Sequence, residues 1–283
     1  MTECTDTKRL YSEAYMEGGH YTSAADPKSD SHEMPIWQLA CISKYIGTYA
    51  PDPKATVVEV GCGLGHLHSC HKNWCGIEYS DTAVNAGRKL YGESLKIYEG
   101  DARALPLAAD SVDLLFSFFA YEHVPQVERA FDEVLRVLKP GGVAVLCPAW
   151  HCRAWTVKKL QQRRYSDLAI AEKLGKVLIP LRDSVFFRLL CVLPSRIWRE
   201  FRMRISSGPI ELDYRTLQPR YDLWGKYPHI PDDDAVASID SHAALAYFAS
   251  RKWRLISHPS FIKRFACRGG EFVVGKPNLP TTS

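Results

Sequence analysis

The stretch VVEVGCGLGH, residues 57–66, decides the fold of this 283-residue chain. A short apolar and β-branched run, typical of a buried strand, leads directly into three glycines at alternate positions, Gly61, Gly63 and Gly65. In an open α/β sheet, ligands bind beyond the carboxyl ends of the strands, where the backbone turns tightly and comes close to the ligand. The stretch therefore predicts a strand that ends in a ligand-binding turn.

The spacing of the glycines excludes the two common phosphate-binding turns. A dinucleotide-binding turn follows G-x-G-x-x-G, but His66 stands where its third glycine would be. A P-loop needs Gly-Lys followed by Ser or Thr, and the stretch has no such pair. We therefore expect the turn to accommodate a nucleoside with an uncharged linkage.

Beyond this stretch, the sequence alternates between strand-like and helix-like segments. The strand-like segments are ATVVEV, WCGIEYS, LKIYEGD, SVDLLFSFF and GVAVLCPAW, and the helix-like ones include LGHLHSCHK, DTAVNAGRKLYG and VERAFDEVLRVLK. A further helix, DSHAALAYFASRK, and two strands, WRLISHPSF and GEFVVGK, follow near the end. This alternation of strands and helices predicts an α/β fold with a seven-stranded, doubly wound, mostly parallel sheet.

We expect four parts of the chain, with boundaries where the alternation of strand-like and helix-like segments is interrupted. Residues 1–54 are expected to form an N-terminal helical lid segment, and residues 55–150 the ligand-binding core. Residues 151–235 are expected to form a basic helical cap inserted between strands five and six. Residues 236–283 then supply the last helix and the closing strands of the core.

Carboxylates follow the second and third strands. Glu78 ends the second strand, where a carboxylate can accept hydrogen bonds from both hydroxyls of a ribose. Asp101 ends the third strand, where it can accept from the amino group of an adenine. Because the carboxyl ends of parallel strands meet at one edge of the sheet, these acids and the glycine turn together predict an adenosine site.

An ordered set of motifs resembles the class I, Rossmann-like S-adenosylmethionine-dependent methyltransferases, and within them the small-molecule, type 11 group. The motifs are VVEVGCGLG, the acid in GIEYS, EGDARALPLAADSVDLLFSFFAYEHV and FDEVLRVLKPGGVAVL. The resemblance covers residues 56–147 closely and the last forty residues loosely. It implies an enzyme that transfers a methyl group from S-adenosylmethionine.

The resemblance also implies which residues contact the cofactor. The glycine turn and the acid before it are expected at the methionine end, the acids after strands two and three at the ribose and adenine, and an aromatic residue beside the sulfonium. This set is Glu59, Gly61, Gly63, Gly65, Glu78, Tyr79, Asp101, Ala102 and Phe118. Only thirteen positions separate Gly65 from Glu78, so the first helix is expected to be short.

Three histidines are candidates for the base that a hydroxyl acceptor usually needs. His123 follows the fourth strand, His151 follows the fifth, and His20 lies in the N-terminal segment. We favour His123, because the methyl group should point toward the end of the fourth strand; a packing role in a loop is its alternative. Candidate lid aromatics, or packing residues, are Tyr11, Tyr15 and Tyr21.

Missing motifs restrict the acceptor. The fourth strand is followed by SFFAYEHV, with neither a Pro-Pro-aromatic nor a Pro-Cys motif, which by resemblance disfavours transfer to a nucleobase. A small molecule or glycan remains, and we favour an oxygen acceptor over nitrogen. The run from Asp232 to Asp234 is expected in a solvated turn. Candidate substrate-contacting residues are Tyr121, Trp150, Tyr227, His229 and Asp233.

The segment CGLGHLHSCHKNWC offers three cysteines and three histidines within fourteen residues. Zinc needs four ligands that converge, whereas these side chains belong to a turn, a helix and a strand and should point apart. We therefore expect no metal site. The scattered cysteines, without a CxxC pair, and an N-terminus without an apolar core predict a cytoplasmic protein.

The cap carries an unusual positive charge. Residues 151–205 contain thirteen Lys and Arg against four Asp and Glu, a net charge of +9 in a chain whose total is +4. Residues 181–205 mix these arginines with Phe, Leu, Ile and Trp, which fits peripheral membrane contact, an acidic or phosphorylated acceptor, nucleic acid, or a cap with solvated arginines. Nucleic acid is the partner least favoured.

Two other functions remain open at this point. The basic cap would also suit an RNA methyltransferase, which should retain nucleic acid on purification. A protein that binds S-adenosylmethionine without turnover would keep the same glycines and acids. The sequence does not name the acceptor.

Overall fold

The computed structural model describes Lys8, Ser12, Glu13, Tyr15, Met16 and residues 33–278 except Ser207. Its main sheet has seven strands in the order β3-β2-β1-β4-β5-β9-β8, and β6 and β7 form a separate antiparallel pair. The strands are β1 (Val57–Val60), β2 (Trp74–Glu78), β3 (Ile97–Glu99), β4 (Val112–Phe118), β5 (Leu138–Cys147), β6 (Tyr214–Thr216), β7 (Ala237–Ile239), β8 (Arg254–Leu255) and β9 (Phe272–Gly275). The predicted seven-stranded, mostly parallel α/β sheet is confirmed.

One helix precedes β1, one joins β2 to β3 and one joins β4 to β5, and helices dominate residues 154–205. They are α1 (Glu33–Tyr49), α2 (Asp81–Tyr91), α3 (Val127–Val137), α4 (Ala154–Val157), α5 (Ile170–Val177), α6 (Ile179–Asp183), α7 (Val185–Ile205), α8 (Ser241–Ser250) and α9 (Phe261–Ala266). Sequence spacing explains α3, whose residues Val127, Phe131, Val134 and Val137 recur on one face and are fully buried.

The sheet order creates the place where a ligand can bind. β1 lies between β2 and β4, and both neighbours run parallel to it. The chain therefore leaves β1 toward one side for β2 and β3, and returns to its other side for β4 and β5. This reversal of strand order opens a crevice at the carboxyl ends of β1 and β4.

Two elements differ from the sequence expectation. The helix expected from LGHLHSCHK is a single 3-10 turn, His68–Cys70, because the span between the glycine turn and β2 is too short for a full helix. β5 starts earlier than expected, at Leu138, because Gly141 N donates to Lys276 O over 3.1 Å and Lys276 N donates to Gly142 O over 2.8 Å. Pro140 and Gly141, which lie between the expected helix and the expected strand, are thus part of β5.

By their internal contacts, the residues form two compact units. The first consists of Met1–Ala120, Arg129–Leu146 and Val273–Ser283, and the second of Tyr121–Glu128 and Cys147–Phe272. The second unit includes α8, a helix with eight buried residues whose N-terminus is capped by Asp240. The expected division into lid, core, cap and closing segments, with boundaries at residues 54, 150 and 235, stays a prediction.

Candidate functional site

The turn after β1 has a backbone conformation that favours glycine at three positions. The φ angles of Gly61, Gly63 and Gly65 are +73°, +54° and +78°, in the left-handed region that L side chains rarely adopt. Space is also lacking, because a Cβ on Gly61 would lie 2.3 Å from Cβ of Ala120. A Cβ on Gly63 would lie 3.1 Å from the hydroxyl of Tyr15.

Substituting Gly61 tests whether the turn needs bare backbone. We expect Gly61→Ala to lower the free energy of unfolding by about 2–4 kcal/mol, because it adds backbone strain and a clash with Ala120. Gly225→Ala is the matched control, since Gly225 has a φ of +75° but nothing within 4 Å of the added Cβ. Urea unfolding should give a loss of only about 1 kcal/mol for the control. Equal losses in both variants would contradict the role of close packing.

Glu78 joins the turns that follow β1 and β2. Its Oε2 accepts from the backbone N–H of Gly63 at 2.9 Å, and its Oε1 accepts from that of Ser80 at 3.0 Å. Ser80 in turn caps α2 by accepting from the N–H of Ala83. The carboxylate is nearly buried, and each of its oxygens has a second lone pair. The site therefore holds an oriented acceptor for hydroxyl groups at the carboxyl end of β2.

Glu59 lies beside this turn as a second buried acid. Its Oε2 accepts from the indole N–H of Trp74 at 3.1 Å. Burial raises the pKa of Glu59 well above its usual range; the hydrogen bond from Trp74 lowers it, and the charge of Glu78 raises it further. The expected role of Glu59 at the methionine end of the cofactor stays a prediction.

Asp101 has a partner that the sequence did not indicate. Oδ2 of Asp101 lies 2.6 Å from Nη2 of Arg103, and Oδ1 accepts from the backbone N–H of Arg103 at 2.8 Å. Burial raises the pKa of Asp101, but these bonds outweigh it and lower the pKa overall. Asp101 is thus an ionised acceptor held in a tight turn with Ala104, and Ala102 lies within that turn.

Aromatic side chains flank the end of β4. Phe118 is nearly buried, and its ring lies 5.8 Å from the ring of Trp37 on α1 in an edge-to-face arrangement. Trp37 is 46% exposed, and it was not among the residues expected at the site. Tyr79, the residue after Glu78, is half-buried. Aromatic side chains thus form an apolar surface at the end of β4, where the strand order reverses.

Described residues of the N-terminal segment contact the same edge of the first unit. Lys8 pairs with Glu99 at the end of β3, and the hydroxyl of Ser12 donates to Oδ1 of Asp81 at 3.1 Å. With the hydroxyl of Tyr15 near Gly63, three contacts reach the ends of β1, β2 and β3. These contacts agree with the expected lid segment, which stays a proposal. The candidate residues Tyr11, His20 and Tyr21 lie outside the described residues.

The histidines after the glycine turn have separate partners. Nδ1 of His66 lies 2.7 Å from the hydroxyl of Tyr91, Nδ1 of His68 lies 3.0 Å from the carbonyl of Gly65, and Nε2 of His71 lies 3.1 Å from that of Asp52. Within the described part of the chain, no three His, Cys, Asp or Glu side chains converge on a point suited to a metal.

The second unit contains a cluster of acids around His123. Nδ1 of His123 lies 3.5 Å from Oδ2 of Asp234, and Nε2 lies 3.6 Å from Oε1 of Glu122. Burial alone lowers the pKa of His123, but the negative charges of Asp234, Glu122 and Asp232 raise it above its usual value overall. His123 is thus an imidazole with a carboxylate near each nitrogen.

Glu122 is the most deeply buried acid of this cluster. Its side chain is 1% exposed, and Oε2 has no hydrogen-bond partner among the residues that the structure describes. Burial raises the pKa of Glu122 to about 7, and the nearby charge of His123 opposes that shift. Because the charge of each group shifts the pKa of the other and the two side chains lie 3.6 Å apart, the proton affinities of Glu122 and His123 are coupled.

The expected solvated turn at Asp232–Asp234 is wrong, because two of these acids are buried. Asp233 and Asp234 are 0% and 2% exposed. Asp233 pairs with the buried Lys159 and lies 3.1 Å from Nδ1 of His229, whereas Asp234 approaches His123. Successive side chains thus project to different partners, and burial is possible because each has a positive or titratable group nearby.

The other expected site residues of the second unit are held by structural contacts. Nε2 of His151 lies 3.3 Å from the hydroxyl of Ser241. Burial lowers the pKa of His151, three arginines of α7 lower it further, and the negative charge of Asp240 opposes this shift. The indole N–H of Trp150 donates to the carbonyl of Gly270 at 2.7 Å. Tyr121 is fully buried, and the hydroxyl of Tyr227 lies 3.4 Å from Oδ2 of Asp167. Their expected contact with substrate stays a prediction.

Comparison with known proteins identifies the core. Residues 58–146 match the family model of a methyltransferase domain. An uncharacterized methyltransferase of Mycolicibacterium vanbaalenii is 38% identical over 96 residues, which make up 32% of this chain and 38% of that protein. A malonyl-acyl-carrier protein O-methyltransferase of Methylococcus capsulatus is 48% identical over 98 residues, 32% of this chain and 36% of that protein. The match thus spans less than two-fifths of either relative.

Among solved structures, an amino pentose methyltransferase from Micromonospora echinaspora with bound S-adenosylmethionine is 22% identical, with a TM-score of 0.38. The alignment covers 46% of this chain and 56% of that one. The family match falls on β1 to β5, which supply the glycine turn, Glu78 and Asp101. Residues 58–146 therefore form a methyltransferase domain of the type that uses S-adenosylmethionine.

Proposed function

We propose that this protein transfers the methyl group of S-adenosylmethionine to a hydroxyl of a small-molecule or glycan acceptor, with His123 as general base. The observation that carries the proposal is the position of the His123 imidazole between the carboxylates of Asp234 and Glu122. A hydroxyl is a weak nucleophile until a base takes its proton, whereas a neutral amine already has a free lone pair. A base of raised pKa therefore favours oxygen as the acceptor.

The residues of the first unit would hold the cofactor. Glu78 and the backbone of the glycine turn fit a ribose, because the carboxylate is already fixed by Gly63 and Ser80. Asp101 offers an ionised acceptor for an adenine amino group, and Phe118 an apolar surface for the sulfonium. When bound, S-adenosylmethionine supplies an electrophilic methyl group on a positively charged sulfur.

The acid cluster around His123 in the second unit would accept the proton of the acceptor hydroxyl. The acceptor hydroxyl gives its proton to the imidazole of His123, and the resulting imidazolium is stabilised by Asp234 in the way that a carboxylate orients the base of a catalytic triad. Glu122, whose pKa is about 7, can share that proton near neutral pH. His123 follows Phe118, the last residue of β4, by five positions, which supports a role close to the reacting atoms.

The pH dependence of the rate gives a first test. Because the unprotonated form of His123 acts as base, and because its pKa is raised, kcat should increase with pH through an apparent pKa above 6.5. Asp234→Asn removes the largest source of that rise, so the midpoint should move to lower pH. The measurement is formation of S-adenosylhomocysteine between pH 5.5 and 9, with phenol, sugar and alcohol acceptors beside matched amines. An unchanged midpoint in Asp234→Asn would contradict the proposed pair.

A further inference from the structure

Helix α7 exposes an apolar face along its whole length. Phe186, Leu190, Ile197, Phe201 and Ile205 are spaced by four, seven, four and four residues and therefore lie on one side of the helix. Their exposed fractions are 73%, 57%, 59%, 49% and 61%. We call these five residues the α7 stripe. Large apolar side chains aligned in this way form a continuous surface, unlike the single exposed residues common on soluble domains.

The opposite side of α7 is charged and buried. Arg196 and Glu200 are 5% and 3% exposed. Oε2 of Glu200 lies 2.8 Å from Nη2 of Arg264, and its Oε1 lies 3.2 Å from Nε2 of His242 on α8. Nη1 of Arg199 donates to Oδ2 of Asp240 at 2.8 Å.

This charged network fixes the orientation of α7. Rotating the stripe inward would break several buried ion pairs and leave their charges without partners, which is strongly unfavourable. The usual amphipathic arrangement is thus reversed, with charges on the packed side and apolar residues outside. The outward apolar face is therefore a stable feature of the second unit.

The two preceding helices also expose apolar residues. Ile170, Leu174, Val177 and Leu181 of α5 and α6 are spaced by four, three and four residues. Each is more than half exposed. Trp198, next to the stripe on α7, is 57% exposed. Aromatic and aliphatic side chains of this kind are typical of helices that lie at a membrane interface.

Positive charge surrounds the stripe, and the acids nearby are neutralised. Residues 170–205 contain eight Lys and Arg and only three acids. Each acid is paired at 2.8 to 2.9 Å, Glu172 with Arg163, Asp183 with Arg153 and Glu200 with Arg264. The exposed cations of these helices are Lys173, Arg182, Arg188, Arg202 and Arg204. An apolar face with a cationic rim complements an anionic surface.

We propose that α5, α6 and α7 dock this protein onto a bilayer that contains anionic lipid, with the α7 stripe in the headgroup region. No helix among the described residues is long and apolar enough to cross a bilayer, so the helices lie along the surface. The cationic rim favours a lipid surface over an apolar protein partner, for which the charges would have no counterpart. This inference is independent of the proposed acceptor chemistry.

Vesicle co-sedimentation of the full chain tests the proposal. We expect binding to phosphatidylcholine vesicles with about one-third phosphatidylserine, at least 10-fold weaker binding to phosphatidylcholine alone, and weakening at high salt. Phe186→Ser and Phe201→Ser should each reduce binding several-fold, and together at least 10-fold. Because both side chains are exposed, the melting temperature should not change. Leu90→Ser, which removes a 58% exposed leucine from α2, is the control that should bind like wild type.

Three results would overturn the proposal. The first is no binding to the anionic vesicles at low salt. The second is equal binding by wild type and the Phe186→Ser, Phe201→Ser double variant. The third is a dimer in sedimentation velocity that Phe201→Ser dissociates while vesicle binding is absent, since a second copy of the chain would then cover the stripe.

Discussion

His123→Asn is expected to lower kcat by about 10²–10⁴-fold while the affinity for S-adenosylhomocysteine stays within twofold of wild type. The physical reason is that asparagine cannot accept the proton of the acceptor hydroxyl, so that general-base catalysis is lost. The proposed cofactor residues lie in β1, at the ends of β2 and β4 or in the segments that follow β1 to β3, and they do not include His123. Single-turnover assays with the best acceptor of the phenol, sugar and alcohol panel would measure the rate, and calorimetry the affinity.

The matched control for this variant is His258→Asn. His258 lies in the same unit, and its Nδ1 is 2.8 Å from the hydroxyl of Ser257, away from the acids around His123. It should keep the wild-type rate. A loss smaller than threefold in His123→Asn, with an otherwise active enzyme, would contradict a base at this position. Faster turnover with the matched amines would contradict the preference for oxygen.

Glu78→Ala is expected to weaken binding of S-adenosylhomocysteine by at least 100-fold, or about 2.7 kcal/mol. The substitution removes the proposed partner of the ribose hydroxyls and leaves the N–H groups of Gly63 and Ser80 without their acceptor. Isothermal titration calorimetry measures the loss. Glu78→Gln, which keeps the side-chain volume and one oxygen acceptor, should lose less, about 10-fold.

Glu93→Ala provides the control, because Glu93 is an exposed acid in the loop before β3. Its affinity should equal that of wild type. The glutamine variant also guards against misfolding, since it removes the charge and preserves the packing. Wild-type affinity in a folded Glu78→Ala protein would contradict the assignment of Glu78 to the cofactor.

Local patterns were sufficient to predict the core of the fold. VVEV and VDLLFSF are mostly apolar runs that become β1 and β4. The α3 residues Val127, Phe131 and Val134 recur at helical spacing, and the structure buries them. The glycines were predictable for the same reason, because three in alternation after a strand have few uses besides a tight turn. Such features depend on residues close together in sequence.

Features that depend on distant parts of the chain could not be predicted. Asp234 was expected in a solvated turn, because three consecutive acids are normally exposed, and only the fold brings Asp233 to Lys159 and Asp234 to His123. The partnership of Asp101 with Arg103 was also missed, although only one residue separates them, since its basis is the turn geometry after β3. Which side of α7 faces outward was left open between membrane contact and a packed cap, because helical periodicity does not tell which face packs inside.

We infer that the glycine turn after β1 and the carboxylates after β2 and β3 form the binding site of S-adenosylmethionine. Calorimetric titration of the folded wild-type chain with S-adenosylhomocysteine tests it most directly. We expect saturable binding of one ligand molecule per chain. The absence of a binding signal for both S-adenosylhomocysteine and S-adenosylmethionine, at several temperatures and with the protein folded by circular dichroism, would contradict it.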